Sequence, residues 1–297
     1  MNLKFIVRLA RFLVFQYFFQ KRNLKYIILR LKAKNAIITR RIQGSKMSLN
    51  LKDKGISKDL ALDSIREPES TNMIKKELKK GDVVIDIGAN IGYYALMESR
   101  LVGNKGKVYA IEPVDENVKS LKKNIKLNNC SNIEVYKTAI GEKGKTDKMY
   151  IAEYSNWNSF IDHKRHIIGT RDIKVISLDN FLKNKKYPNF IRMDVEGYEY
   201  SIIKGMKKVL KSKRPLKLFI ELHPHIMKEK QTIFVLKTIL RHRFETKKVI
   251  RSVTATEMKV MPRNQYDYSS KGILDILKDN LVISGKLGAF QMFFERN

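Results

Sequence analysis

The apolar run Val83–Ile87 ends in Asp86-Ile87-Gly88-Ala89-Asn90-Ile91-Gly92, and no other stretch restricts the fold of this chain as much. A short run of branched apolar residues suits a strand buried on both faces. Two glycines directly after it let a turn bring bare backbone up to a ligand at the carboxyl edge of a sheet. One βα unit later, Val108-Tyr109-Ala110-Ile111 runs into Glu112, a strand-end carboxylate placed to hold ribose hydroxyls. The glycine spacing is not G-x-G-x-x-G, which excludes the dinucleotide fingerprint. These features indicate a nucleotide-bearing cofactor bound to a doubly wound sheet.

The rest of the chain repeats the strand–helix alternation. Lys107–Ile111, Ile133–Lys137, Phe190–Met193 and Leu216–Ile220 read as further buried strands. Val118, Leu121 and Ile125 recur at helical spacing, as do Ile202, Met206, Val209 and Leu210. A helix over Thr232–Arg241 and closing strands at Lys247–Arg251 and Ala289–Glu295 follow. The expected fold is α/β, a doubly wound, mainly parallel seven-stranded sheet. Residues 142–173 interrupt it with turn residues and Trp157, an insertion expected on the substrate side. Before the core, Met47–Leu51 alternates like a strand, Asp53-Lys54-Gly55 reads as a turn, and Thr71–Lys80 as a helix. The expected organisation is a helical extension over 1–44 and one domain over 45–297, divided into a lead-in (45–80), a cofactor-binding core (81–225) and a C-terminal helix with closing strands (226–297).

Charge sets the first segment apart. The chain carries 60 Lys and Arg against 30 Asp and Glu, a formal +30, which suits an anionic partner such as a membrane surface, a phosphorylated substrate or nucleic acid. Residues 1–50 hold twelve Lys or Arg and no acidic residue, and their longest uncharged run, Phe12 to Gln20, spans nine residues. That run is too short for a transmembrane helix, and no cleavable small-residue site follows it. Phe5, Leu9, Phe12, Leu13 and Phe19 among Arg8, Arg11, Lys21 and Arg22 describe a basic amphipathic helix. It lies on an anionic membrane or packs on the domain or a partner. The single cysteine, Cys130, forms no intramolecular disulfide and fits a reducing, cytoplasmic setting, peripheral to the membrane if the extension binds there.

Four segments together carry a specific resemblance: Asp86-Ile87-Gly88-Ala89-Asn90-Ile91-Gly92-Tyr93-Tyr94, Glu112-Pro113, Ile176-Ser177-Leu178-Asp179, and Arg192-Met193-Asp194-Val195-Glu196-Gly197-Tyr198-Glu199. Over about residues 45–225 the chain resembles the FkbM family of O-methyltransferases, class I enzymes that use S-adenosylmethionine. The resemblance leaves residues 1–44 unexplained. It implies that Asp86, Gly88, Ala89, Asn90 and Gly92 line the methionine end of the cofactor, that Glu112 binds its ribose, and that Ala139 borders the adenine.

Methyl transfer to a hydroxyl needs an aligned acceptor and a base for its proton. Asp194 and Glu196 end the fourth core strand and are the candidate base or substrate clamp; Glu199 fits an N-terminal helix carboxylate. His223, with Glu221, ends the fifth strand and suits proton transfer. Asn158 and Ser159, beside Trp157, are candidate substrate contacts, as is Glu221. Asp194, Glu196, Glu221 and His223 do not form a recognised ligand spacing, and no metal is expected. The expected activity is O-methylation of a glycan, glycolipid or related saccharide. RNA methylation, or a non-catalytic role on a methyltransferase scaffold, are the competing readings; against RNA stands the absence of an Asn/Asp-Pro-Pro-aromatic segment.

Overall fold

The computed structural model describes residues 3–164, 166–253, 261 and 265–297, with side chains described from residue 13 onward. The expectations on the side chains of Phe5, Arg8, Leu9, Arg11 and Phe12 lie outside the described residues. A long helix, α1 (Leu3–Lys32), leads into the hairpin β1 (Ile37–Ile42) and β2 (Ser45–Asn50), then α2 (Ile56–Leu62) and α3 (Pro68–Glu77). The core begins with β3 (Val83–Ile87), α4 (Tyr93–Val102), β4 (Lys107–Ile111), α5 (Asp115–Leu127) and β5 (Ile133–Tyr136). The insertion supplies β6 (Ala139–Gly141), β7 (Lys145–Ala152) and β8 (Ile167–Ser177), followed by the single turn α6 (Leu178–Phe181). The core resumes with β9 (Phe190–Met193), α7 (Glu199–Gly205), α8 (Lys207–Lys211), β10 (Leu216–Leu222), α9 (Glu229–Arg241) and β11 (Glu245–Arg251). Helices α10 (Ile273–Lys278) and α11 (Asn280–Ile283) precede the last strand, β12 (Phe290–Arg296).

The main sheet has seven strands in the order β11-β12-β10-β9-β3-β4-β5. The five strands from β10 to β5 pair in parallel, and β12 alone runs antiparallel to both neighbours. The order reverses at β3, so the crevice between the loops after β3 and β9 is the switch point where such sheets bind ligands. Strand periodicity divides the core into two layers. Val83, Ile85 and Ile87 face a cluster holding Ile202 and Met206 of the α7 side and Val235 and Ile239 of α9. Val84 faces the opposite cluster, with Leu96 of α4, Leu121 of α5 and Leu49 of β2.

Two elements differ from the sequence reading. The helical part of the 1–44 segment stops at Lys32, and residues 37–42 form β1, paired to β2 from Ile37–Asn50 to Ile42–Ser45. β-Branched Ile37, Ile38, Thr39 and Ile42 favour the extended chain. Gln43 (φ 46°) and Gly44 (φ 84°) are both left-handed, as a two-residue hairpin turn requires. The insertion is also more ordered than its turn residues suggested, since β7 and β8 pair antiparallel and β6 joins β8 in a three-stranded sheet. Its connecting loop, 153–166, carries Trp157.

α1 rests on the domain by one face. Arg22 pairs with Asp59 (2.7 Å) and with Asp63, Lys25 Nζ donates to the Leu62 carbonyl at 3.1 Å, and Tyr26 donates its hydroxyl hydrogen to the Leu51 carbonyl. Among the described residues, no helix is long and apolar enough to cross a membrane.

Candidate functional site

Two loops meet at the switch point. After β3 the chain passes through Gly88 (φ 86°), Asn90 (φ 48°) and Gly92 (φ 95°) into α4; after β9 it passes through Glu196 (φ 50°) and Gly197 (φ 96°) into α7. The residue type at Gly88 is dictated by distance as well as by φ, because a Cβ there would sit 1.9 Å from the Asp194 carbonyl oxygen. At Gly92 the close contact of an added Cβ would be the Leu121 Cδ1 end, at 2.6 Å, which a side chain can yield, so its φ is the stronger constraint. A residue other than glycine in the left-handed region is uncommon, and both Asn90 and Glu196 stand at the edge of the same cavity.

That cavity encloses about 790 Å3 of free space, part of it open to solvent. Gly88, Ala89, Asn90, Glu112, Ala139, Asn158, Asp194 and Glu196 line it. Apolar walls come from Ile111, Val114, Ile140, Met149 and Phe160. Glu112, 4% exposed, accepts the backbone N–H of Asn90 at 2.9 Å on Oε2 and that of Val114 at 2.9 Å on Oε1, which also takes the Asn117 amide at 3.2 Å. Burial pushes its carboxyl up to about 7 against the pull of those hydrogen bonds. Asn156, in the same lining, has a buried Oδ1 with no hydrogen-bond partner.

Asp86 stands behind the cavity wall, fully buried. Its Oδ1 accepts Arg192 Nη1 at 3.0 Å, and Arg192 Nη2 reaches Asp194 Oδ2 at 3.0 Å. The guanidinium also lies 4.0 Å from the Tyr94 ring centroid. Burial works against charge on Arg192, but the two carboxylates outweigh it and hold the guanidinium protonated. Arg192 thereby ties the loop after β9 to the strand before the glycine turn.

On the other side of Asp194 lies a second set of buried ionisable groups. His223 Nδ1 donates to Glu199 Oε1 at 2.7 Å, which turns Nε2 toward Glu196 Oε2 at 3.5 Å. Burial opposes charge on the imidazole, yet Glu196 and Glu199 together raise its pKa well above the usual histidine value. Glu196 is pushed up to about 7 by burial, with Asp194 and Glu199 adding to the rise and His223 opposing it. Glu221 is pushed up to about 8, again by burial and then by Asp194 and Glu67, while Ser252 donates to its Oε1 at 2.7 Å. Asp194, Glu196 and His223 each offer one ligand-type atom within 4.8 Å of the others.

The sequence-predicted residues therefore divide by depth. Gly88, Ala89, Asn90, Glu112, Ala139, Asn158, Asp194 and Glu196 reach the cavity; Asp86, Gly92, Ser159, Glu221 and His223 stand behind it. Ser159 is wholly buried, donating to the Glu196 carbonyl at 2.6 Å and accepting from the Ile161 N–H at 3.0 Å, so it fixes the Glu196 loop. Asn158 closes its own loop, accepting from the Ala152 N–H and donating to the Ser155 carbonyl, both at 2.9 Å. The sequence reading gave no role to Arg192, Arg66 or Asn117 and treated Glu199 as a helix-end carboxylate. Arg192 had left a signal, a charged residue inside a strand otherwise made of Phe, Ile and Met. Arg66 lines the cavity and is held by Glu67 at 2.7 Å and by Asp59 at 3.3 Å, contacts that only the tertiary fold creates.

Comparison with known proteins gives the family. The family described as "Methyltransferase FkbM domain" matches residues 86–255. The hexuronic acid methyltransferase AglP of Haloferax volcanii is 28% identical over 148 residues, covering 49% of this chain and 59% of that protein. A protein-L-isoaspartate O-methyltransferase of Fervidobacterium nodosum is 37% identical over 83 residues, covering 27% of this chain and 42% of its own length. The chain thus spans less than two thirds of either relative. The solved structure of M. jannaschii TYW2 in complex with AdoMet aligns with a TM-score of 0.43 and 15% identity, covering 89% of each chain.

Proposed function

The chain belongs to the FkbM family of S-adenosylmethionine-dependent methyltransferases, and on that premise we propose that it transfers the methyl group to a hydroxyl of a glycan, glycolipid or related saccharide. The observation that carries this reading is the juxtaposition, at one cavity, of Glu112 with Asp194 and Glu196, the latter backed by His223. S-adenosylmethionine supplies an electrophilic methyl group when bound. The residues present suit its binding: Glu112 offers buried carboxylate oxygens at a strand end, the Gly88–Asn90 turn leaves backbone bare, and Asn156 Oδ1 is an unused acceptor in the lining. Gly88, Ala89 and Asn90 would hold the methionine end, with Asp86 and Gly92 shaping that turn from behind, and Ala139 with its apolar neighbours the adenine.

The chain itself must orient the acceptor and take its proton. Glu196, whose pKa of about 7 places it near the working pH, is the group we assign as base, with Asp194 as the acceptor clamp. His223 acts through Glu196, stabilising its carboxylate by charge, and Glu199 fixes the imidazole that does so. One relative, AglP, is named a hexuronic acid methyltransferase, which supports a saccharide acceptor. The outer face of α1, with exposed Leu13, Tyr17, Leu24, Ile28 and Leu31 and an acid-free basic flank, supports attachment to an anionic membrane surface.

The test uses the purified chain, methyl-labelled S-adenosylmethionine and an extract of cells lacking the chain, separated afterwards into lipid, glycan, RNA and small-molecule pools. Label is expected in saccharide-bearing pools. Label confined to RNA would replace this reading with nucleic-acid methylation, and a chain that binds no cofactor in calorimetry would leave only a scaffold role.

A further inference from the structure

α1 borders the reaction site. A solvent-open groove lies beside the cofactor cavity, with Phe15 and Phe19 of α1 and Tyr154 and Trp157 of the loop after β7 in its walls. Arg66 and Asn156 line the groove and the cavity alike, so the two spaces adjoin through these side chains. The rings come in pairs, Phe15 with Phe19 at 6.3 Å and Tyr154 with Trp157 at 4.4 Å between centroids, both stacked. Polar groups of the same lining are held in place: Arg22 by Asp59 and Asp63, and Arg66 by Glu67. Aromatic faces with preset hydrogen-bonding groups at their edges match a sugar ring, which presents an apolar C–H face and a rim of hydroxyls.

The source of that sugar is indicated by the other side of the same helix. Positions 15, 19, 22, 26 and 29 recur at helical spacing toward the groove and domain. Positions 13, 17, 24, 28 and 31 recur on the opposite face, where the side chains are 58%, 59%, 60%, 44% and 82% exposed. An apolar stripe of that length, on a segment with no acidic residue, matches an anionic bilayer interface. One helix therefore joins a sugar-shaped groove to a lipid-facing stripe.

We propose that the groove between α1 and the Tyr154–Trp157 loop is the acceptor subsite, and that its occupant is the glycan of a lipid-linked saccharide whose lipid stays in the bilayer beside the outer face of α1. This rests on the saccharide methyltransferase reading. The sugar rings lie against the aromatic pairs, and the hydroxyl to be methylated passes Arg66 and Asn156 into the cavity.

The experiment compares two acceptors: the glycolipid fraction of a chloroform–methanol extract from cells lacking the chain, and the water-soluble glycan freed from that fraction by mild acid. Methyl incorporation is measured for the wild type, F15A/F19A, W157A and W157F, with cofactor affinity by calorimetry alongside. For F15A/F19A on glycolipid, KM rises about ten-fold and kcat stays within about two-fold, because two apolar contacts are lost away from the reacting atoms. Cofactor affinity is unchanged, and W157F recovers most of what W157A loses. Trp157 is the chain's one tryptophan, so its emission reports glycolipid binding directly and should titrate at about ten-fold higher glycolipid in F15A/F19A. A KM within two-fold of wild type for F15A/F19A, with glycolipid still labelled, would remove the groove and leave the methyltransferase reading intact. Equal kcat/KM on the freed glycan would reject the lipid-linked source. Cofactor binding without label in either saccharide fraction would overturn the saccharide reading and this proposal with it.

Discussion

Glu112 and His223 show how single groups set this site's pH behaviour. Glu112 has an ordinary value of 4.5 and is raised to about 7 in the fold, chiefly by burial. A carboxyl raised by folding binds its proton more tightly in the native state, so its contribution to stability declines as pH rises from the unfolded value to the folded one and is flat beyond. Glu112→Gln removes that dependence. The stability of the variant relative to wild type should improve by up to about 3 kcal/mol between acid and neutral pH, read by denaturant melts at several pH values. Its S-adenosylmethionine affinity should fall by about ten-fold or more, since glutamine offers one acceptor oxygen in place of two. A difference in stability that does not vary with pH would contradict the burial argument. His223 acts in the opposite sense on Glu196, lowering a carboxyl that burial has raised to about 7. His223→Asn removes that opposing charge, so Glu196 must rise and the acid limb of the kcat profile should move up by about one pH unit. Recovery of kcat toward wild type at alkaline pH separates this effect from a collapsed site, which would stay inactive throughout.

At the scale of elements, what was legible in the sequence was what local patterning controls. Strands buried on both faces, such as Val83–Ile87 and Phe190–Met193, declare themselves as short apolar runs, and the glycine turn after the first declares its backbone needs. The expected positions of Gly88, Asn90, Glu112, Asp194 and Glu196 meet at one cavity because each follows a parallel strand, and all such strands end at the same sheet edge. Elements whose register is set by tertiary pairing were harder to read. β1 lies in a basic segment whose charges Arg40 and Arg41 masked its β-branched residues, and β8 runs 11 residues, from Ile167, to reach its recognisable Ile176-Ser177 end. The His223–Glu199 hydrogen bond joins residues 24 apart and the Arg192–Asp86 pair residues 106 apart. No spacing rule in a single sequence encodes such meetings; they follow from the order β10-β9-β3 in the sheet.

The whole molecule combines a large positive charge with an exposed apolar stripe along the outer face of α1, and these make separable contributions to surface binding. With +30 over 297 residues, the protein is drawn toward any anionic surface, and that attraction is screened as ionic strength grows. The stripe of Leu13, Tyr17, Leu24, Ile28 and Leu31 acts only on contact and is little affected by salt. Binding to phosphatidylserine-rich vesicles should therefore fall by about ten-fold or more between about 50 and about 300 mM salt, leaving a residual set by the stripe. Leu24→Glu with Ile28→Glu should weaken binding at both salt concentrations while preserving the salt dependence. Both side chains are exposed, so the melting temperature should change by no more than about 2 °C. Co-sedimentation with vesicles across a salt series reads both contributions. If the double variant bound as well as wild type, charge alone would hold the protein to the surface, and α1 would lose its place as the element that aligns the acceptor groove with the membrane.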